Sequence, residues 1–203
     1  MYGYQDQADR EVFRQETNMS TKYTIGIDLG GTNIKGGICD QTGTLLLSSM
    51  LATEAAGGVD HVFKRMLLLV EELLEQAMLK PADIAGIGLG TPGPLSRDQG
   101  LIYCAPNLPG WTNIPVRACF SEMTGLPVIL ENDANAAAYG EFVAGAARSA
   151  RTMVMLTLGT GVGGGVVLDG HLWRGSHDSA GEIGHMILVP DGRPLSLRAK
   201  RLF

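Results

Sequence analysis

The sequence carries no surplus of positive charge, no apolar run long enough to cross a bilayer and few cysteines, and each shortage removes a class of protein. Lysines and arginines number 16 against 21 aspartates and glutamates, a net charge of −5. No basic face is therefore on offer to a phosphate polymer, and nucleic acid is not expected as a partner. The longest apolar stretches fall short of the roughly 20 residues a spanning helix requires, so no membrane partner is expected either. The polar opening residues lack the apolar block of a secretory signal, which makes a cytoplasmic location the expectation. Cys39, Cys104 and Cys119 lie far apart with no Cys-x-x-Cys pair, so neither a disulfide framework nor a self-contained zinc knuckle is indicated. Apolar residues, in contrast, are plentiful: 45% of the 203 residues are hydrophobic, enough for one large domain or two small ones.

Residues 1–18 show no clear periodicity and read as an N-terminal extension, expected to be disordered, with Met19 a candidate start. From Tyr23 the pattern is strand (23–27), glycine-rich turn (28–32), strand (34–39), polar turn (40–43) and strand (44–48). Val59, Val62, Phe63, Met66, Leu67, Val70, Leu73, Leu74 and Ala77 then recur at helical spacing, with Lys64, Arg65, Glu71, Glu72 and Glu75 opposite, which marks an amphipathic helix. A buried strand is expected over 84–89, an irregular stretch through Trp111, and a helix from Pro115 that stops at Gly125. A strand over 127–130 and an alanine-rich helix from Ala134 to about Ala147 follow. The chain then repeats its opening: strand (153–158), glycine loop (159–165), strand (166–168), the hairpin turn Asp169-Gly170 and a short strand (171–173). Two units of one plan predict an α/β chain of two similar lobes, divided as 19–125 and 126–194.

Ligand chemistry is expected at the glycine loops. In Asp28-Leu29-Gly30-Gly31-Thr32 the backbone turns tightly enough for amide N–H groups and the Thr32 hydroxyl to face a phosphate. Gly159-Thr160-Gly161-Val162-Gly163 repeats the plan. One such loop is as readily a plain hairpin turn, and two of the same design shift the balance towards a nucleotide. No Gly-Lys-Ser/Thr follows for a P-loop, and strand rather than helix follows Thr32, unlike a dinucleotide fold. Asp28 adds a carboxylate at the loop mouth, suited to Mg²⁺ held through water. Lys35 is placed either to neutralise phosphate charge or simply to be a solvated strand lysine. Phosphoryl transfer also needs a group to take up a hydroxyl proton. Asp133 ends an apolar strand and begins a helix, where the helix dipole favours an ionised carboxylate. On position alone, an ordinary N-cap role for Asp133 or Asn132 is the stronger reading.

The company these residues keep changes that balance. Asp28 to Thr32, Thr91-Pro92-Gly93-Pro94, Asn107-Leu108-Pro109-Gly110-Trp111, Glu131-Asn132-Asp133-Ala134-Asn135-Ala136, Gly159 to Gly165 and Gly181-Glu182-Ile183-Gly184-His185 resemble, in order, the motifs of the ROK family of repressors and sugar kinases. The resemblance covers about residues 23 to 194. It implies the two-lobed actin-like ATPase and hexokinase fold, which is ribonuclease H-like, with the second lobe incomplete in this chain. It implies Asp133 as the base for a sugar 6-hydroxyl, and Asn107, Asn132, Glu182 and His185 as the residues that hold sugar hydroxyls. Asp28, Gly30, Gly31, Thr32, Gly159, Thr160, Gly161 and Gly163, with Lys35 beside them, match the ATP phosphate and Mg²⁺ sites. The implied reaction is ATP-dependent phosphorylation of a hexose. Glucose is favoured because Asn107 to Trp111 resembles the family's glucokinases, with mannose and N-acetylated hexoses left open. Full-length relatives are implied to be homo-oligomers.

The pattern breaks near the end. In the family, His185 ligates zinc together with cysteines of a Cys-x-Cys-Gly-x-x-Gly-Cys motif, which this chain lacks after Pro194. Leu195 to Phe203 reads as an aberrant tail, and codons compatible with it yield that motif when read one base later. A one-base frameshift near the Pro194 codon is therefore expected, with truncation, exposed apolar surface and no tightly bound zinc as consequences. Two other readings stay open: a sugar-binding transcriptional regulator of the same family, and a non-catalytic remnant. The 18 residues ahead of Met19 are too few for the helix-turn-helix domain that the family's repressors carry.

Overall fold

The computed structural model describes residues 23–159 and 161–187. The extension 1–18, Thr160 and the tail 195–203 lie outside the described residues. Alternating apolar residues build the opening meander: β1 (Tyr23–Leu29), β2 (Asn33–Asp40) and β3 (Leu45–Ala52) pair antiparallel. On β1, Ile25, Ile27 and Leu29 are buried while Gly26 and Asp28 are exposed, so strict alternation turns Asp28 away from the core. β4 (Ile84–Thr91) joins β1 in parallel and β8 (Val128–Asn132) joins β4 in parallel, giving one mixed sheet of order β3-β2-β1-β4-β8.

The link from β3 to the parallel strand β4 runs through helix α1 (Val59–Ala77), as a parallel crossover demands. Its Val62, Phe63, Met66, Leu69, Val70, Leu73 and Leu74 are all buried, a stripe at helical spacing laid on the sheet. Each such side chain contributes about 1.5–3 kcal/mol when fully removed from water, so this stripe is the main force docking α1. Helix α2 (Val116–Thr124) adds Val116 and Phe120 to the same core and ends at Gly125, whose φ of 67° supplies the left-handed turn. A second sheet of order β11-β10-β9 forms from β9 (Met153–Leu158), β10 (Val162–Leu168) and β11 (His171–Leu172). Helix α3 (Asp133–Val143) leads from the first sheet towards it and packs on β10.

The structure departs from the sequence expectations in four places. The stretch read as irregular up to Trp111 contains a small sheet, β5 (Leu95–Ser96), β6 (Leu101–Cys104) and β7 (Thr112–Ile114). Strands of two to four residues are too short to show a period. The alanine-rich helix stops at Val143 rather than Ala147, because the chain leaves helical geometry at Ala144 and continues in turns. β10 starts at Val162, so Gly163, Gly164 and Gly165 belong to a strand and not to a loop. Finally, a division after residue 125 would cut the first sheet, since β8 hydrogen-bonds to β4; the passage to the second sheet falls at Asn132–Asp133.

Candidate active site

The carboxyl ends of three parallel strands converge. Register places Asp28 beside Gly90 and Gly90 beside Glu131, with Thr91 beside Asn132 one step further. Ligands in open α/β sheets gather at such strand ends. Asp133 follows at once as the first residue of α3. A Cβ on Gly90 would stand 3.6 Å from Asp133 Cα, so the missing side chain there lets the helix start close onto the sheet. Asn132 does serve as the N-cap: its Oδ1 accepts from the backbone N–H of Ala134 at 3.0 Å and of Asn135 at 3.1 Å. The Asn132 side chain also hydrogen-bonds the Asp133 carboxyl, which favours its ionised form.

Asp133 is open to solvent on one side, yet its carboxyl is held above the ordinary aspartate range. Loss of hydration against the protein is the main cause; donation by the Ala134 N–H, at 2.8 Å, opposes it, and the negative charge of Asp28 adds to the rise. The two carboxylates named from sequence thus share one electrostatic neighbourhood. Lys35 lies directly across from Asp28 in the β1–β2 register.

The first glycine turn and the strand that follows the second approach this corner. In the first, the Gly30 N–H donates to the Asn33 carbonyl at 3.1 Å, and a Cβ on Gly31 would lie 2.7 Å from Asn107 Cβ. Gly31 thus lets the turn sit against Asn107. Asn107 in turn is held by a loop anchored at Trp111, which is 1% exposed and stacks on Phe63 at 5.5 Å. In the second turn, the Gly159 N–H donates to the Gly161 carbonyl at 3.0 Å. Gly163 lies beyond that turn on β10, where a Cβ would meet Ala134 Cβ at 3.0 Å, one residue from Asp133. Thr32 is exposed on the first turn, and Thr160 of the second lies outside the described residues.

Glu182 and His185 are exposed and pair with each other at 3.7 Å. Their segment is pressed onto β10 through close approaches of Gly181 to Gly164 and of Gly184 to the Val162 carbonyl. Among the described residues no group of three or more His, Cys, Asp or Glu side chains converges on a point, and the stretch after Pro194, where the family's zinc cysteines would fall, lies outside them. Asp28 is a different case, since Mg²⁺ is commonly held by one or two carboxylates together with water and substrate phosphates.

Four contributors were not singled out from sequence. Thr53, 0% exposed, donates its hydroxyl to the Gly30 carbonyl at 2.7 Å and its N–H to the Thr32 carbonyl at 2.9 Å, and so braces the first turn from behind. Glu131 accepts from Arg174 Nε at 2.7 Å and lies 3.8 Å from Arg97 Nε, the three side chains being 13%, 21% and 15% exposed. A serine-threonine hydroxyl behind a glycine turn has no local signature, and the partners of Glu131 lie 43 residues after it and 34 residues before it. Thr91 Oγ1 and Asn135 Oδ1 are buried without a hydrogen-bond partner among the described residues, leaving polar capacity on either side of Asn132.

A profile of the ROK family matches residues 24–195. The chain belongs to the ROK family. It is 39% identical over 174 residues to a glucokinase of Halalkalibacterium halodurans, a match covering 86% of this chain and 52% of that protein. A xylose repressor of Bacillus subtilis is 34% identical over 176 residues, covering 86% and 45%. Among solved structures, a ROK hexokinase from Thermus thermophilus superposes with a TM-score of 0.75 at 41% identity, covering 86% of this chain and 56% of its own. A ROK family glucokinase from Streptomyces griseus in complex with glucose and AMPPNP gives 0.73 at 35%, covering 84% and 52%. This ROK chain therefore has the α/β fold of the actin-like ATPases and hexokinases, and it spans about half the length of the relatives it matches.

Proposed function

We propose that this ROK chain carries the sugar-facing and phosphate-facing core of an ATP-dependent hexose kinase that phosphorylates the 6-hydroxyl, with glucose the first candidate. The observation that carries the reading is the shared corner of Asp28 and Asp133, with Asn107 against the first glycine turn, Asn132 at the helix start and Gly163 of β10 beside Ala134. Likeness to glucokinases, one of them solved with glucose and AMPPNP, supports the same substrates.

In this reading the turns 28–32 and 159–161 offer backbone N–H groups to the phosphates, and Lys35 offsets their charge. Asp28 would hold Mg²⁺ through water, and the ion would supply charge neutralisation on the phosphates. Asn107, Asn132, Glu182 and His185 would pair with sugar hydroxyls and so reject analogues that leave these groups unpaired. Asp133 must be ionised to take the 6-hydroxyl proton. Its raised carboxyl keeps more basicity than an ordinary aspartate. The division into two lobes around this corner, and a cytoplasmic location, belong to the same reading.

Relatives that are xylose repressors favour a second reading, a sugar sensor without turnover. One experiment separates the two: coupled ATP turnover alongside calorimetric titration, with glucose, mannose and xylose, on the chain and on Asp133→Asn. The kinase reading expects glucose-dependent turnover that falls by about 10²-fold or more in Asp133→Asn while sugar binding survives. Sugar binding with no turnover in either protein would support the sensor, and neither binding nor turnover would overturn both.

A further inference from the structure

Both carboxylate oxygens of Glu131 accept hydrogen bonds. One carboxylate oxygen accepts from the Asn132 N–H at 3.0 Å and from Asn135 Nδ2 at 3.2 Å, which ties it to the first turn of α3. The other accepts from Arg174 Nε at 2.7 Å. Arg174 opens the segment that carries Glu182 and His185, and its carbonyl accepts from the Ala180 N–H at 2.9 Å, folding that segment into a closed turn. A second tie runs parallel to the first: the Arg97 N–H donates to Asp178 Oδ2 at 3.1 Å, and Arg97 Nε stands 3.8 Å from Glu131. Neither Asp133 nor Asn132 touches Glu182 or His185 in any described contact, so these ties are the described polar route between the two groups.

We propose that Glu131 is a positioning residue: with Arg174 it fixes the segment bearing Glu182 and His185 against the helix start bearing Asn132 and Asp133. The inference rests on the sugar-site reading given above, and it assigns the ion pair a task that neither group performs alone. The geometry suits that task. A carboxylate shared by two guanidinium groups and two amides is over-determined, so it holds one arrangement, whereas a neutral amide at 131 would lose the charge that attracts Arg174. An arginine also offers a planar fork that lysine lacks, which makes Arg174→Lys an incomplete substitute. The pair is largely removed from water, where losing one partner leaves the other buried and unmatched.

The test compares the unaltered chain with Glu131→Gln, Arg174→Lys, Arg174→Met and the double variant Glu131→Gln/Arg174→Met. Two readouts are taken: peptide-resolved amide hydrogen exchange without ligand, and glucose affinity by calorimetry. Glu131→Gln is expected to speed exchange across 174–187 by about ten-fold or more while leaving 23–40 unchanged. The double variant is expected to be no faster than either single loss, and Arg174→Lys to fall between the parent and Arg174→Met. Glucose affinity is expected to drop in step with exchange in the same order of variants. Unchanged exchange over 174–187 overturns the proposal, as does equal acceleration in every peptide with additive single effects, which would make the pair a general stabiliser. If Glu131→Gln does not fold, the graded pair of Arg174 variants decides alone. Absence of glucose binding by the unaltered chain overturns the sugar-site reading and the functional half of this proposal, while the exchange pattern still decides whether the clasp exists.

Discussion

Asp133 bears a cost that an active-site group characteristically bears. Its native carboxyl titrates above the ordinary value, chiefly because protein strips its hydration, so the ionised form is disfavoured by folding. Below the unfolded value of about 3.9, the group is protonated in both states and imposes nothing. As pH rises through the native value, the penalty appears in full. Asp133→Asn, which keeps an acceptor for the Ala134 N–H, is therefore expected to raise Tm at pH 7, with the gain vanishing below about pH 4. Thermal melts of both proteins across that range check it, and a variant that is less stable at neutral pH contradicts it. Asp28 and Asp133 were legible in the sequence because each stands at the mouth of a recognisable motif. Glu131 was not, although it sits two residues before Asp133, because its meaning depends on Arg97 and Arg174 folding back to it.

The opening meander and α1 were legible for a simple reason: alternation on β1 and helical spacing on α1 are each long enough to count. The glycine run 159–165 was not, because glycine shows no period whether it turns or runs straight. Its residues in fact serve two purposes. A Cβ on Gly165 would run into Ala138 Cβ and stand 3.1 Å from the Ala134 carbonyl oxygen, so an added side chain has no space between β10 and α3. A Cβ on Gly159 or Gly161 would meet nothing within 4 Å. Gly165→Val is accordingly expected to destabilise by about 1–3 kcal/mol or more, while Gly159→Ala stays within about 0.5 kcal/mol. Urea unfolding of the two variants measures the difference, and equal stabilities would contradict the close contact of strand and helix. Should Gly159→Ala nevertheless weaken nucleotide binding, the two roles of the run are separated.

Taken together, the two sheets meet at Asn132–Asp133 and place the candidate groups around one corner, yet much apolar surface stays open. Val154, Leu156, Leu158 and Val162 are 60%, 52%, 80% and 45% exposed along neighbouring strands of the second sheet. A contiguous patch of that kind favours association. The chain is expected to bind a hydrophobic dye and to sediment faster as its concentration rises, and Leu156→Lys combined with Leu158→Lys to reduce both effects with little loss of stability. Dye binding that the double variant leaves unchanged would place the sticky surface elsewhere.

The arrangement depends above all on Asp28 and Asp133 lying in one electrostatic neighbourhood. Titration of the Asp133 carboxyl carbon by NMR, in the parent and in Asp28→Asn, reports this directly and needs no catalysis. Expected is a parent value above the ordinary aspartate range that falls when the Asp28 charge is removed. An ordinary value that ignores the substitution would separate the two carboxylates and remove the basis of the proposed phosphoryl transfer.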